Sequence, residues 1–279
     1  MSTPLPIKTN IASISAQTNL AKSSRSLSSS ISRLSSGLRL NSAADDAAGM
    51  AVATGLRAQL GGYKVALRNA NDGVAILNTA EGGLSSVSNT LIRMRELAVQ
   101  SASDGLTNTE RAYVDTEFQD LIKDIDRISK VTEYNGIKVL NASAGSSGNV
   151  TFQVGTRNSD NDRIKVNLKD MGSSSLGVKG TKVGTLGSAQ ASITKIDTAI
   201  GKLSTHRATL GSKINTLTQS VDNLGTTIEN ISAAASQIRD VDVAAESAAF
   251  STAMVLQQAG TAMLAQANQA PNLALRLLV

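Results

Sequence analysis

Cysteine and tryptophan are absent from the 279 residues, histidine occurs once, proline three times, and tyrosine and phenylalanine three times each. Without cysteine there is no disulfide framework, thiolate nucleophile, iron–sulfur centre or cysteine-ligated zinc site. The single His206 cannot supply a histidine cluster for a metal, and serine-type nucleophilic mechanisms usually borrow a histidine as base. A non-enzymatic protein with no cofactor and no metal is therefore expected. No apolar run approaches the roughly 18 residues of a membrane span, and Met1 to Leu20 lacks the basic-then-apolar order of a secretory signal. The aromatic residues are Tyr63, Tyr113, Phe118, Tyr134, Phe152 and Phe250. Any core must then be built from Ala, Leu, Ile and Val, which suits a thin core spread along closely approaching helices.

Charge is present but unevenly placed. Residues 1–71 hold eight basic side chains against Asp45 and Asp46, whereas the remainder is close to neutral. A basic arm can address nucleic acid, yet these charges stand singly among Ser, Ala and Leu, with Tyr63 as their only aromatic neighbour. Neither a nucleic-acid nor a membrane partner is expected.

Periodicity carries most of the remaining information. Ile196, Leu203, Leu210, Leu217, Leu224, Ile231 and Ile238 recur every seven residues, with a companion column Ile193, Ile200, Arg207, Ile214, Val221, Ile228 and Ala235 in which Arg207 is the one defect. Upstream, Leu56, Tyr63, Ala70, Leu77, Leu84, Leu91 and Ala98 repeat likewise, beside Ala66, Gly73, Ala80, Val87 and Met94. A shorter helix sets Val114, Leu121 and Ile128 next to Phe118 and Ile125, after a Ser103-Asp104-Gly105 turn and capping oxygens on Thr107 and Thr109. Helices are expected at about 42–103, 107–130 and 190–240.

Strand character is confined to the middle. Tyr134-Asn135-Gly136 signals a turn before Ile137 to Leu140, and residues 150–154 and 163–168 alternate with period two. The spacing predicts a hairpin capping the bundle, followed by a flexible return loop punctuated by Gly172, Gly177, Gly180, Gly184 and Gly187. At the ends, Ile7, Ile11, Ile14, Leu20, Leu27, Ile31, Leu34 and Leu38 form a weak stripe with a phase slip after Ile14. Val255, Leu256, Ala259, Met263, Leu264 and Ala267 form another that stops near Pro271. Ser and Ala in such number bury little area per turn, so neither end helix is stable alone and both need partners. The fold class expected is mainly α: an elongated antiparallel helical bundle or coiled coil with a small β-hairpin region, plus paired N- and C-terminal helices.

Specific motifs sharpen this reading. The stretch from Ser32 through Ser35-Ser36-Gly37-Leu38-Arg39-Leu40-Asn41-Ser42-Ala43-Ala44-Asp45-Asp46-Ala47-Ala48-Gly49-Met50 closely resembles the N-terminal signature of bacterial flagellin. So do Arg95-Glu96-Leu97-Ala98-Val99-Gln100, Tyr134-Asn135-Gly136-Ile137-Lys138-Val139-Leu140 and the segment Gln257 to Gln269 with its leucine-rich end. Lys8 stands where Asn is typical, Ala44 where Lys is common, and Val279 where the end is commonly basic or polar.

The resemblance implies a subunit of the flagellar filament, in a short form without the variable outer domains, exported unfolded by the flagellar type III apparatus and residing outside the cell. It implies an inner-tube domain from residues 1–41 and 241–279, and an outer-tube bundle from 42–240 in which 131–189 hold the hairpin and Gly-rich loop. Inner-tube packing falls to Ile7, Ile11, Ile14, Leu20, Leu27, Ile31, Leu34, Leu256, Met263 and Leu264. The partners implied are further copies of the chain in a helical homopolymer, a flagellar export chaperone and the export gate, the filament cap and hook-associated proteins. A host innate immune receptor is a further one, through Arg93, Leu97 and Glu117. Two other readings compete: a hook–filament junction protein, which shares the terminal helices, and a basic coiled-coil nucleic-acid binder.

Overall fold

Proline is absent between Pro6 and Pro271, so across most of the chain only turn sequences interrupt helix growth. The protein, described by a computed structural model over residues 9–276, is accordingly mainly α. Its helices are α1 (Ile11–Ser36), α2 (Ala47–Ser101), α3 (Asn108–Val131), the single turn α4 (Ser173–Leu176), α5 (Leu186–Arg239) and α6 (Val243–Arg276). Four short strands lie between α3 and α4: β1 (Glu133–Tyr134), β2 (Ile137–Lys138), β3 (Asn149–Gln153) and β4 (Arg163–Asn167). Two compact units result, a terminal unit of Met1–Ala58 with Asn230–Val279 and a central unit of Gln59–Glu229. The expected boundaries at 41/42 and 240/241 fall instead in the links between α1 and α2 and between α5 and α6.

In the central unit α2 and α5 run antiparallel. Gly73 lies against Leu217, Glu81 pairs with Arg207, and Arg95 pairs with Asp197, so numbers rise on one helix as they fall on the other. Buried positions on α2 follow an alternating four-three step through Ala66, Ala70, Leu77, Ala80, Leu84, Val87, Leu91, Met94 and Ala98, as the heptads require. On α5 the step is Ile196, Ala199, Leu203, His206, Leu210, Leu217 and Leu224. The column through Ile193, Ile200, Arg207 and Ile214 is only half-buried, so the seam contains His206 and not Arg207. Both columns read equally well by sevens; the burial differs because a helix with neighbours on two sides buries one column fully and exposes the flank. Arg207 on that flank donates from Nε to Glu81 Oε1 at 2.8 Å.

Helix α3 packs antiparallel on the C-terminal half of α2, burying Phe118, Ile122 and Ile125, while Val114, Leu121 and Ile128 flank them half-buried. Thr107 caps it: its Oγ1 accepts from Glu110 N–H while Glu110 returns a carboxylate to the Thr107 N–H, a reciprocal capping box. Arg111, also buried, closes the end of α2. Its Nε donates to Ser101 O at 2.9 Å and its Nη2 to Ser103 O at 2.7 Å, placing a cation on carbonyls that the helix cannot satisfy. Arg111→Ala leaves these acceptors unpartnered and is expected to cost about 1–3 kcal/mol, read as a lower urea midpoint at unchanged slope.

Asn135 and Gly136 both adopt left-handed backbone angles, φ 49° and 76°, which the two-residue turn between β1 and β2 demands. The strand expected over 137–140 is therefore two residues long, and Val139 and Leu140 leave it to enter the core. β3 and β4 pair antiparallel with Phe152 opposite Ile164 and Val150 opposite Val166. Phe152 sits on the backbone of Gly73, where a Cβ would lie 3.0 Å from its ring. The return segment expected to be a flexible loop is packed instead. Met171, Leu176, Val178, Thr181 and Val183 are buried, and Asp115 Oδ1 accepts from the Val183 N–H at 2.7 Å. Its glycines allow the turns, Gly177 and Gly180 having positive φ, while the apolar residues between them anchor it.

Candidate functional site

The candidate site is the pair of end helices in the terminal unit. Asn10 caps α1 by accepting from Ser13 N–H at 3.0 Å, and its Nδ2 donates to Ala267 O at 2.8 Å. That carbonyl is the one Pro271, lacking an N–H, cannot engage, so α6 continues to Arg276 instead of stopping near the proline. Ser13 Oγ bonds Asn268 Oδ1 at 2.8 Å, Leu20 lies against Gly260, and Arg33 pairs with Glu246 at 3.6 Å, an antiparallel register throughout. At the other end of the pair Arg39 N–H donates to Arg239 O at 2.7 Å and Val241 N–H to Gly37 O at 3.1 Å. The signature around Asp45 is a folded turn. Asp45 Oδ2 accepts from the N–H groups of Asn41 and Ser42, which hold its carboxyl below the usual range, and Asp46 Oδ1 accepts from Gly49 N–H at the start of α2.

Of the expected packing residues, Leu20, Leu27, Leu34 and Leu264 are half-buried between α1 and α6. Ile11, Ile14, Ile31, Leu256 and Met263 are exposed among the described residues, Ile11 by 68% and Met263 by 64%. Ile7 lies outside the described residues. The contact column on α1 is Ser13, Ala16, Leu20, Ser23, Leu27, Ser30 and Leu34, and on α6 Glu246, Phe250, Ala253, Gln257, Gly260, Leu264 and Ala267. Both columns follow heptad spacing with little apolar contrast, because Ser, Ala and Gly fill many of the places. Such small residues let the backbones approach, and a Cβ on Gly260 would meet Leu20 Cδ1 at 3.1 Å. A groove of about 650 Å³ beside this seam is walled by Ala12, Ala16, Leu20, Leu256, Ala259 and Met263.

The residues expected at a receptor are separated by the fold. Arg93 and Glu117 are exposed and joined, Nη2 to Oε1 at 2.8 Å, with Glu96 on the other side of the guanidinium. Leu97 is 2% exposed and belongs to the core, because it follows Met94 by one turn on the buried face of α2. His206 is buried without a partner on Nε2. Burial and Lys169 hold its imidazole below the ordinary 6.5, while Glu81 acts the other way. The unfolded chain therefore takes the proton more readily, so stability is full above that value and declines as pH falls through it. Urea titrations between about pH 8 and pH 5 are expected to show this decline, flattened in His206→Leu.

End helices that pair with each other although they lie at opposite ends of the sequence, in a mainly α chain with a small hairpin, define the class as a helical protein with paired terminal helices. Family models agree on which. One described as the bacterial flagellin N-terminal helical region matches residues 7–145, and one described as the C-terminal helical region matches residues 193–278. The chain belongs to the bacterial flagellin family. Among curated relatives, flagellin 1 of Proteus mirabilis is 44% identical over 177 residues, 63% of this chain and 47% of that one. Phase 1 flagellin of Salmonella naestved is 41% identical over 189 residues, 67% of this chain and 37% of that one. The matches span less than half the length of these relatives. The crystal structure of Bacillus cereus flagellin superposes with a TM-score of 0.51 at 32% identity, over 56% of this chain and 88% of that one. A Vibrio parahaemolyticus chain described as a flagellar hook-associated protein shares the fold, with a TM-score of 0.58 at 16% identity over 70% of this chain and 100% of that one. No described helix is long and apolar enough to cross a membrane.

Proposed function

We propose that this chain is a non-enzymatic structural subunit that assembles with further copies of itself into the bacterial flagellar filament, outside the cell, for swimming motility. The observation that carries the proposal is the apolar surface left around the α1–α6 groove: Ile11 and Ile14 on one helix, Met254, Val255, Leu256 and Met263 on the other, all exposed in the isolated chain. Scattered single apolar residues need no explanation, but this many on one thin helix pair favour burial against another surface. Head-to-tail contacts that do not close on themselves then generate an open helical lattice. On this reading α1 and α6 form the inner tube and the central bundle the outer tube. The type III export gate, an export chaperone, the filament cap and hook-associated proteins are the partners proposed with it. The receptor reading rests on Arg93 and Glu117, since contact through Leu97 would require a core side chain.

Electron microscopy of the purified chain after addition of short filament seeds tests the proposal. Long tubes of uniform diameter are expected. Seeds whose ends are decorated but do not lengthen would indicate the junction protein, and salt-sensitive retention on DNA without tubes would indicate the nucleic-acid binder.

A further inference from the structure

Away from the terminal unit, the central unit holds a cavity of about 540 Å³ between the first half of α5 and the segment that follows β4. Its floor is apolar: Met171, Leu176 and the His206 ring, each at most 4% exposed. Its rim carries Lys169 and Lys202. Neither ammonium forms a salt bridge among the described residues; Lys202 Nζ donates to the Ser175 carbonyl oxygen at 3.5 Å, a long bond that leaves its charge without a carboxylate. The one carboxylate at the rim, Asp170, is already engaged: Oδ1 accepts from Gly172 N–H at 2.9 Å and Oδ2 from Ser175 Oγ at 2.5 Å. His206 Nε2 is fully buried without a hydrogen-bond partner among the described residues. Glu81 is the opposing charge that acts on the ring; its Oε1 accepts from Arg207, and its Oε2 is buried without a partner.

A buried polar atom without a partner is costly, and two ammoniums without a carboxylate partner on the rim gather a positive potential over a walled space of ligand size. We infer that this cavity binds a small organic phosphate, its anion held by Lys169 and Lys202 and its apolar part seated on Met171, Leu176 and the His206 ring. The floor distinguishes the organic ester from free phosphate: an ion alone gains only the rim charges, whereas an ester also buries apolar area, at about 25 cal/mol per Å². The assignment does not rest on filament formation, since every residue named lies in the central unit.

His206 is the only histidine, so its ring protons give a single reporter in a proton NMR spectrum of the full-length monomer. Phenyl phosphate and inorganic phosphate serve as probes. Phenyl phosphate is expected to shift the His206 resonances saturably with a Kd of about 1 mM or tighter, and to raise the pH at which the ring titrates, because a nearby anion favours the imidazolium. Inorganic phosphate should bind at least about tenfold more weakly, a difference of 1.4 kcal/mol for the seated ring. The doubly substituted Lys169→Gln, Lys202→Gln chain changes exposed side chains alone, so it is expected to fold normally and lose the response. Three results would overturn the assignment: no saturable shift with phenyl phosphate, equal affinity for the two probes, or an undiminished shift in the double variant.

Discussion

Removing residues 265–279 is expected to abolish seeded filament growth while the central unit unfolds at its wild-type urea midpoint. The deletion takes away the Ala267 carbonyl bonded by Asn10 and the Asn268 amide bonded by Ser13, so the start of α1 loses both ties to α6. Each is worth about 1 kcal/mol, which is small for one molecule and large for a lattice in which every copy carries the same loss. A point change makes the same case without shortening the chain. Gly260→Leu places three further carbons beyond a Cβ that would already stand 3.1 Å from Leu20 Cδ1. Overpacking of this kind costs about 1–3 kcal/mol, more than the roughly 0.8 kcal/mol that Leu gains over Gly in helix propensity. Growth of normal filaments from the deleted chain would remove α6 from the assembly contact; a shifted midpoint for the central unit would show that the deletion acts through folding.

Phe118→Ala is expected to destabilise the central unit by about 3–5 kcal/mol, the largest single loss available there. Phe118 is wholly buried, and it is the largest of the fully enclosed side chains. It belongs to the same close-packed core as the heptad leucines of α2 and α5, which leaves little room for collapse into the gap. Denaturant unfolding followed by circular dichroism measures the effect. A cost below about 1 kcal/mol would mean that α3 is not anchored through Phe118.

The central unit was legible because its apolar residues are large and regularly spaced: Leu77, Leu84 and Leu91, or Leu203, Leu210 and Leu217, mark the seam on any reading by sevens. What sequence alone left ambiguous was which flank accompanies them. Arg207 and His206 are adjacent, and only the placement of neighbours around α5 decides that the imidazole enters the seam while the guanidinium reaches Glu81. The segment around Leu176 and Val178 looks loose in the sequence because glycines recur along it, yet a few buried aliphatic residues suffice to fix a loop. The terminal unit was hardest to read. Its seam is made of Ser13, Ala16, Ser23, Ser30, Ala253 and Gly260, which carry no hydropathy signal, and the conspicuous Ile11, Ile14 and Met263 point away from it. On the proposed assembly, side chains that look like core in the sequence and stand exposed in the monomer would find their partners on another molecule.

The discontinuity of the terminal unit sets an order of events. Gln59–Glu229 is one unbroken stretch whose helices, turns and hairpin all find their neighbours within it, whereas the terminal unit joins Met1–Ala58 to Asn230–Val279. The bond between Asn10 and Ala267 spans 257 positions of sequence, among the most distant contacts a chain of this length can make. Closing so long a loop is slow and adds entropic cost, and it is eased once the intervening stretch has condensed. A chain emerging from its first residue onward can thus complete the central bundle while its leading helix waits, unpaired, for the last segment to arrive.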